Sequence, residues 1–293
     1  MKKYLLFLFI FVLSILYLVN KQSNLLLPHY QRHLGSTNHI VAHRGFSSLE
    51  YENSFESINL ANKSNCTDAI EIDIRLTNDG YLVLSHNNKL VLNKNSIKVS
   101  NMRYEDFMNL KLRKPIPDKI NSNIFNYDLK SLHINNKVGT STSLYEVLRI
   151  VKNKTLVIDI KYNKNIKKLN DKLLRIVNKK ENVILQSSNI NGLNDLYRKN
   201  PNIRYQYIIN ENEDIYNINN YLYGVSVRYN LIKYNLVDDL INRGLKVFVW
   251  TINDTETYKN IINEVKENSN KLYYVTDYPD ILCNYDIRKF KEI

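Results

Sequence analysis

The sequence predicts an α/β fold closing into a TIM-type (β/α)8 barrel, with an inserted segment and an apolar helix ahead of it. Short runs rich in Ile, Val, Leu and Tyr recur after residue 38. Continuous apolar runs of that length are the mark of strands buried on both faces of a parallel sheet. Helical stretches fall between most of them, and 293 residues accommodate one barrel of roughly 250 residues.

The strands read as 39–43, 69–75, 155–161, 182–187, 203–209, 224–228, 245–251 and 272–276, with a further extended segment at 81–85. The helices read as 54–63, 144–152, 166–179, 190–199, 231–243 and 255–267, and Gly244 closes one of them in the usual C-terminal manner. Pattern alone also permits an open doubly wound sheet, but no G-x-G-x-x-G follows the first strand, which speaks against a dinucleotide fold. The stretch 89–142 breaks the alternation. It is polar, carries Pro115 and Pro117, and reads as an insertion over one barrel face.

Ahead of the barrel, Lys2 and Lys3 precede an uncharged apolar run from Tyr4 to Val19. The run lies between the length of a signal-peptide core and a full membrane span, and no A-x-A-like cleavage site follows it. The chain therefore divides into a signal anchor or transmembrane helix (1–21), a tether (22–37) and the barrel (38–293, insertion about 89–142). The leading lysines place the barrel outside the cytoplasm, held to the membrane, or secreted if the segment is removed. The net charge of +12 favours anionic partners, but the basic residues are scattered without a long Lys/Arg block, which speaks against nucleic acid. Cys66 and Cys283 lack metal-binding spacing and read by default as unpaired thiols. In a closed barrel they fall near the first and last helices, so one disulfide is the alternative.

Catalytic groups of such barrels sit at the C-terminal ends of the strands. Here those ends carry His43-Arg44-Gly45, Glu71-Ile72-Asp73, His86 and Asp159-Ile160-Lys161. Period-two geometry points Glu71 and Asp73 the same way, and likewise Asp159 and Lys161. Three carboxylates gathered at one mouth repel one another unless a cation lies between them, and oxygen ligands suit Mg2+ or Ca2+. Arg44 and Lys161 suit an anion, and two histidines can share acid and base roles near neutral pH. Together these are the requirements of phosphodiester cleavage. Each piece alone also has a purely structural reading, as a hydrogen-bonded His, an ion pair or a salt-bridge network. Their joint placement carries the chemical one.

The succession His43-Arg44-Gly45, Glu52-Asn53-Ser54, Glu71-x-Asp73, Thr77-x-Asp79-Gly80 and His86 resembles the glycerophosphodiester phosphodiesterase family. The segments 143–148, Asp159-Ile160-Lys161, Trp250-Thr251-x-Asn253 and Thr276-Asp277-x-Pro279 extend the resemblance over roughly residues 39–284. It implies a TIM barrel that hydrolyses glycerophosphodiesters to glycerol 3-phosphate and an alcohol with a divalent metal, the substrate being a small-molecule phosphodiester or lipid-derived. It further implies His43 and His86 as the acid/base pair, Glu71, Asp73 and Asp159 as metal ligands, Arg44 and Lys161 on the phosphate, and Trp250 lining the substrate pocket. Glu52 and Asn53 either shape the site or simply start a helix. Two residues depart from the pattern: Asn87 stands where Asp usually follows the second His, and Asp159 where Glu is usual. The alternatives are lipid headgroup release of the phospholipase D kind on the same fold, and a barrel that binds phosphodiesters without turning them over.

Overall fold

The computed structural model describes residues 39–92, 95–113, 138–163, 165–232, 235–265 and 270–284. In chain order the first half holds β1 (His39–Ala42), α1 (Phe55–Lys63), β2 (Ala69–Leu76), β3 (Leu82–Leu84), β4 (Lys89–Leu92), β5 (Asn95–Lys98), α2 (Tyr104–Met108), β6 (Lys111–Arg113), β7 (Val138–Thr140) and α3 (Leu144–Ile150). The second half holds β8 (Thr155–Ile160), α4 (Ile166–Val177), β9 (Val183–Ser187), α5 (Ile190–Lys199), β10 (Arg204–Ile209), β11 (Gly224–Arg228), α6 (Leu236–Asn242), β12 (Lys246–Trp250), α7 (Thr255–Glu264), β13 (Leu272–Thr276) and α8 (Pro279–Asn284). Strands β1, β2 and β8 to β13 pair in parallel around a closed eight-stranded barrel, sealed where β1 meets both β13 and β2. The expected closed barrel is thus borne out over the open sheet.

The period of two along each strand decides what faces the lumen. In β2, Ile70, Ile72 and Ile74 pack outward in the helix-covered core, while Ala69, Glu71 and Asp73 alternate with them. Val41, Ala69, Val157, Ile184, Phe248 and Val275 close together into a separate interior cluster. Each fully buried aliphatic side chain contributes about 1.5–3 kcal/mol, so an apolar plug seals the lumen below the residues that end the strands. His43, Asp73, Asp159, Lys161 and Trp250 follow that plug toward the mouth.

The insertion is an organised lobe over the rim. Strand β3 returns antiparallel along β2 and delivers Ser85 and His86 to the mouth. A β4–β5 hairpin follows, then α2, then β6, which pairs with β7; residues 114–137 lie outside the described part. Val83, Val99, Met102 and Phe107 give the lobe its own small core. The proposed anchor (1–21) and tether (22–37) also lie outside the described residues. Among the described residues no helix is long and apolar enough to cross a membrane.

Two expectations are corrected. The helix read at 231–243 begins only at Leu236, because Asn235 takes a left-handed backbone (φ 63°) that a right-handed helix cannot include. The cysteines are not unpaired: Cys66 and Cys283 form a disulfide, Cα–Cα 5.4 Å, joining positions 217 residues apart. It ties the chain just ahead of β2 to the last helix, across the seam where the barrel closes.

Candidate active site

The site begins with a sharp turn after β1. Arg44 (φ 56°) and Gly45 (φ 80°) both take positive φ, and a Cβ on Gly45 would lie 2.7 Å from the backbone carbon of Ser57. Only glycine meets both demands. The turn aims the Arg44 amide at Glu71 Oε2 (3.0 Å) and its guanidinium at Glu52 (2.8 Å) and Asp73 (3.3 Å). Asn53, also left-handed (φ 55°), donates to Asp73 Oδ2 (2.8 Å) and accepts from the Asp73 amide (3.0 Å). Ser54 caps α1 in a capping box with Ser57. Glu52 and Asn53 therefore shape the site, and the helix-start role falls to Ser54.

Glu71, Asp73 and Asp159 each offer an oxygen within 4.8 Å of the others, and all three are buried. Strand register sets this directly, since Asp73 lies opposite Asp159 across the β2–β8 ladder. The shorter Asp159 still reaches the cluster. Lys161 Nζ bridges it, 2.6 Å from Asp159 and 3.1 Å from Asp73. Burial, then the charge of Asp73, pushes Glu71 up to about 8, and burial pushes Asp159 up to about 6. Burial would also raise Asp73, but Lys161 and Arg44 outweigh it and hold its carboxyl below the usual range. Once Glu71 gives up its proton, three carboxylates face two cations and leave an excess of negative charge. All-oxygen donors at this separation fit a hard divalent cation, which would relieve the strain on Glu71 and Asp159.

The two histidines are held differently. His43 Nδ1 lies 2.7 Å from Asp277 Oδ1. Burial alone would lower His43, but the Asp277 charge and hydrogen bond reverse that and raise it above 6.5. Asp277 itself would be raised by burial, yet His43, Ser47 and Asn253 hold it far below the usual carboxylate range. Ser47 donates to Asp277 Oδ1 (2.7 Å) and Asn253 Nδ2 to Oδ2 (2.6 Å). His86 has no such carboxylate. Its Nδ1 is 3.3 Å from Asn87 Oδ1, a long contact, and burial lowers its pKa. Its backbone is fixed instead, by Arg75 donating from Nη2 (2.6 Å) and Nε (3.2 Å) to the His86 carbonyl.

One cavity of about 160 Å³ gathers all eight residues singled out from sequence: His43, Arg44, Glu71, Asp73, His86, Asp159, Lys161 and Trp250. Its far wall carries uncharged polar groups from the later part of the barrel, among them Gln186 on β9, Asn210 just after β10 and Ser226 on β11. Sequence reading missed these, and it missed the roles of Asp277 and Arg75. Asp277 stood within the Thr276-Asp277 motif at a strand end, which was the available signal. Arg75 lies two residues beyond Asp73 on the same strand face.

The sequence model of the glycerophosphoryl diester phosphodiesterase family matches residues 43–273. A glycerophosphodiester phosphodiesterase of Caldanaerobacter subterraneus is 25% identical over 267 residues, covering 84% of this chain and 96% of that protein. Among solved structures, the Thermotoga maritima glycerophosphodiester phosphodiesterase superposes with a TM-score of 0.60 at 24% identity, over 85% of this chain and 98% of that one. An Oleispira antarctica phosphodiesterase in complex with the product sn-glycerol-3-phosphate gives 0.63 at 18% identity, over 83% of this chain and 94% of that one. With the family match running from the His43 turn to the last barrel strand, this chain is a phosphodiesterase that belongs to the glycerophosphoryl diester phosphodiesterase family.

Proposed function

We propose that this enzyme hydrolyses small glycerophosphodiesters to glycerol 3-phosphate and an alcohol, with His43 as general acid and His86 as general base. The observation that carries the reading is the asymmetry of the two histidines across one cavity. Burial would lower the His43 pKa, but Asp277 at its Nδ1 outweighs that and raises it, whereas His86 meets only Asn87 and burial lowers its pKa. Glu71, Asp73 and Asp159 would hold a divalent ion, Mg2+ or Ca2+, which when bound supplies Lewis-acid stabilisation of the phosphoryl oxygens. Arg44 and Lys161 hold the phosphate and orient it between the histidines. His86 Nε2 takes a proton from the attacking water, and His43 Nε2 delivers one to the leaving alkoxide. Asp277 fixes the tautomer by holding the proton on His43 Nδ1. A cavity of about 160 Å³ suits a headgroup-sized diester, and Trp250 with the polar far wall receives its alcohol portions. The same reading puts the barrel outside the cytoplasm, tethered by residues 1–21. The Cys66–Cys283 disulfide supports this, because such bonds persist in oxidising compartments.

The test is release of glycerol 3-phosphate from glycerophosphocholine by the full chain, with EDTA, Mg2+ and Ca2+ in parallel. Metal-dependent turnover that disappears in both His43→Ala and His86→Ala is expected. Absence of turnover from folded, metal-loaded protein on this and on lipid substrates would instead favour a binding protein. Release of a cyclic phosphate would favour an internal hydroxyl as nucleophile.

A further inference from the structure

A second groove lies outside the catalytic mouth, between the β2–β3 turn and α4. It encloses about 490 Å³ and is lined by Asp79, Gly80, Lys167, Lys168, Lys172 and Arg175, among others. By chain position it belongs to the mouth side of the barrel. The turn follows Asp73 by a few residues, and α4 begins shortly after Lys161.

We propose that this groove binds a phosphate group other than the one being cleaved. Lys168, Lys172 and Arg175 stand at i, i+4 and i+7 and so form one row along α4. The lining also holds two carboxylates, Asp79 and Asp171, against these three cations and Lys167. Asp171 pairs with Lys199 (2.8 Å), and Asp79 accepts from Thr77 (2.7 Å) and from the Tyr104 amide (3.0 Å). Among the described residues, Lys167, Lys168, Lys172 and Arg175 make no ion pair. The placement also works against helix stability. Lys167 and Lys168 sit in the first turn of α4, which has no acidic residue, so they add to the positive end of the helix dipole where carboxylates are normally favoured. With four cations against two carboxylates in its lining, the groove keeps a net positive charge that attracts a phosphate anion. Lys172 is held over the Tyr81 ring, 5.1 Å from its centroid, and Tyr81 stacks on Tyr104 at 4.6 Å, so the row has a firm aromatic edge.

The ligand chemistry is a phosphate ester anion, from either a lipid headgroup or a free phosphate compound, and two arms on the full chain separate these sources. Equilibrium dialysis with inorganic phosphate at low salt should find two sites, and Lys168→Gln/Lys172→Gln/Arg175→Gln should retain one. Co-sedimentation with phosphatidylcholine vesicles, with and without phosphatidylglycerol, measures the preference for an anionic surface. A lipid source predicts that the triple variant loses roughly 100-fold of that preference, at about fivefold per basic residue. Loss in the dialysis arm alone assigns a free phosphate ligand. One phosphate in both proteins, with unchanged vesicle preference, overturns the proposal. Glycerophosphocholine turnover should be equal in the two proteins; a fall in the folded variant would make these cations part of the catalytic mouth and overturn a separate site.

Discussion

Replacing Asp277 with Asn tests the proposed division of labour at its most sensitive point. The carboxylate accepts from His43 Nδ1 and Ser47 on one oxygen and from Asn253 on the other. An amide has one acceptor. If its oxygen faces His43, its NH2 meets the Asn253 NH2, and Asn253 cannot turn over, because its Oδ1 already accepts the Asp277 amide (3.0 Å). If its oxygen faces Asn253, His43 loses its anchor. A charge-assisted hydrogen bond of this kind contributes about 1.5–3 kcal/mol, which predicts a fall in kcat of roughly 10- to 100-fold. KM should change little, since Asp277 supports His43 and not the substrate. The pH profile supplies the sharper readout. His43 must be protonated to act as acid, so the alkaline limb of kcat follows its raised pKa and should move to lower pH in the variant. Stability follows the same linkage. His43 contributes fully below its unfolded value near 6.5 and loses that contribution as pH rises through its raised folded value. Asp277 contributes above about 3.8 and loses it as pH falls through its depressed one. A variant with unchanged kcat and an unmoved alkaline limb would refute both the acid role of His43 and the anchoring role of Asp277.

Three further outcomes are expected. Binding of Mg2+ or Ca2+ at pH 7 should release about one proton, because Glu71, pushed up to about 8, is protonated there until a cation arrives; calorimetry in buffers of different ionisation heat reads this directly, and Glu71→Gln should abolish both release and binding. Asn87→Asp should raise the His86 pKa, which burial now lowers, and so move the acidic limb of kcat/KM to higher pH; an unmoved limb would remove His86 from the base role. Cys66→Ser/Cys283→Ser should lower Tm by about 5–15 °C, the equivalent of about 2–5 kcal/mol, and leave kcat intact, since Cys66 precedes the first residue of β2 and lies at the barrel end opposite the mouth.

What the sequence made legible was whatever a strand states about itself. Alternation in Ala69–Leu76 puts Glu71 and Asp73 on one face without knowledge of any neighbour, and the rule that barrels work at their strand ends then brings His43, His86, Asp159 and Lys161 to the same mouth. What stayed hidden needed a partner far along the chain. Asp277 meets His43 across 234 residues, and only the β1–β13 pairing that closes the barrel, with the His43 amide donating to the Thr276 carbonyl at 2.9 Å, brings them together. The disulfide crosses the same seam, which is why spacing could leave it open but not decide it.

Local backbone was hidden for a different reason. Asn53 and Asn235 both take left-handed φ, one to turn its amide onto Asp73 and the other to delay α6. Asn is among the residues that tolerate that region, but it is equally common as a helix cap. The same letter therefore spells either outcome until the packing around it decides. For Asn53 the decision comes from Asp73, a buried carboxylate that two cations, Arg44 and Lys161, hold charged. A charged group so buried needs its remaining oxygen positions and its own amide satisfied, and Asn53 does both with one side chain. The left-handed backbone at Asn53 is thus a consequence of the charge cluster it serves, and replacing Asn53 should disturb Asp73 before it disturbs α1, whose cap is Ser54.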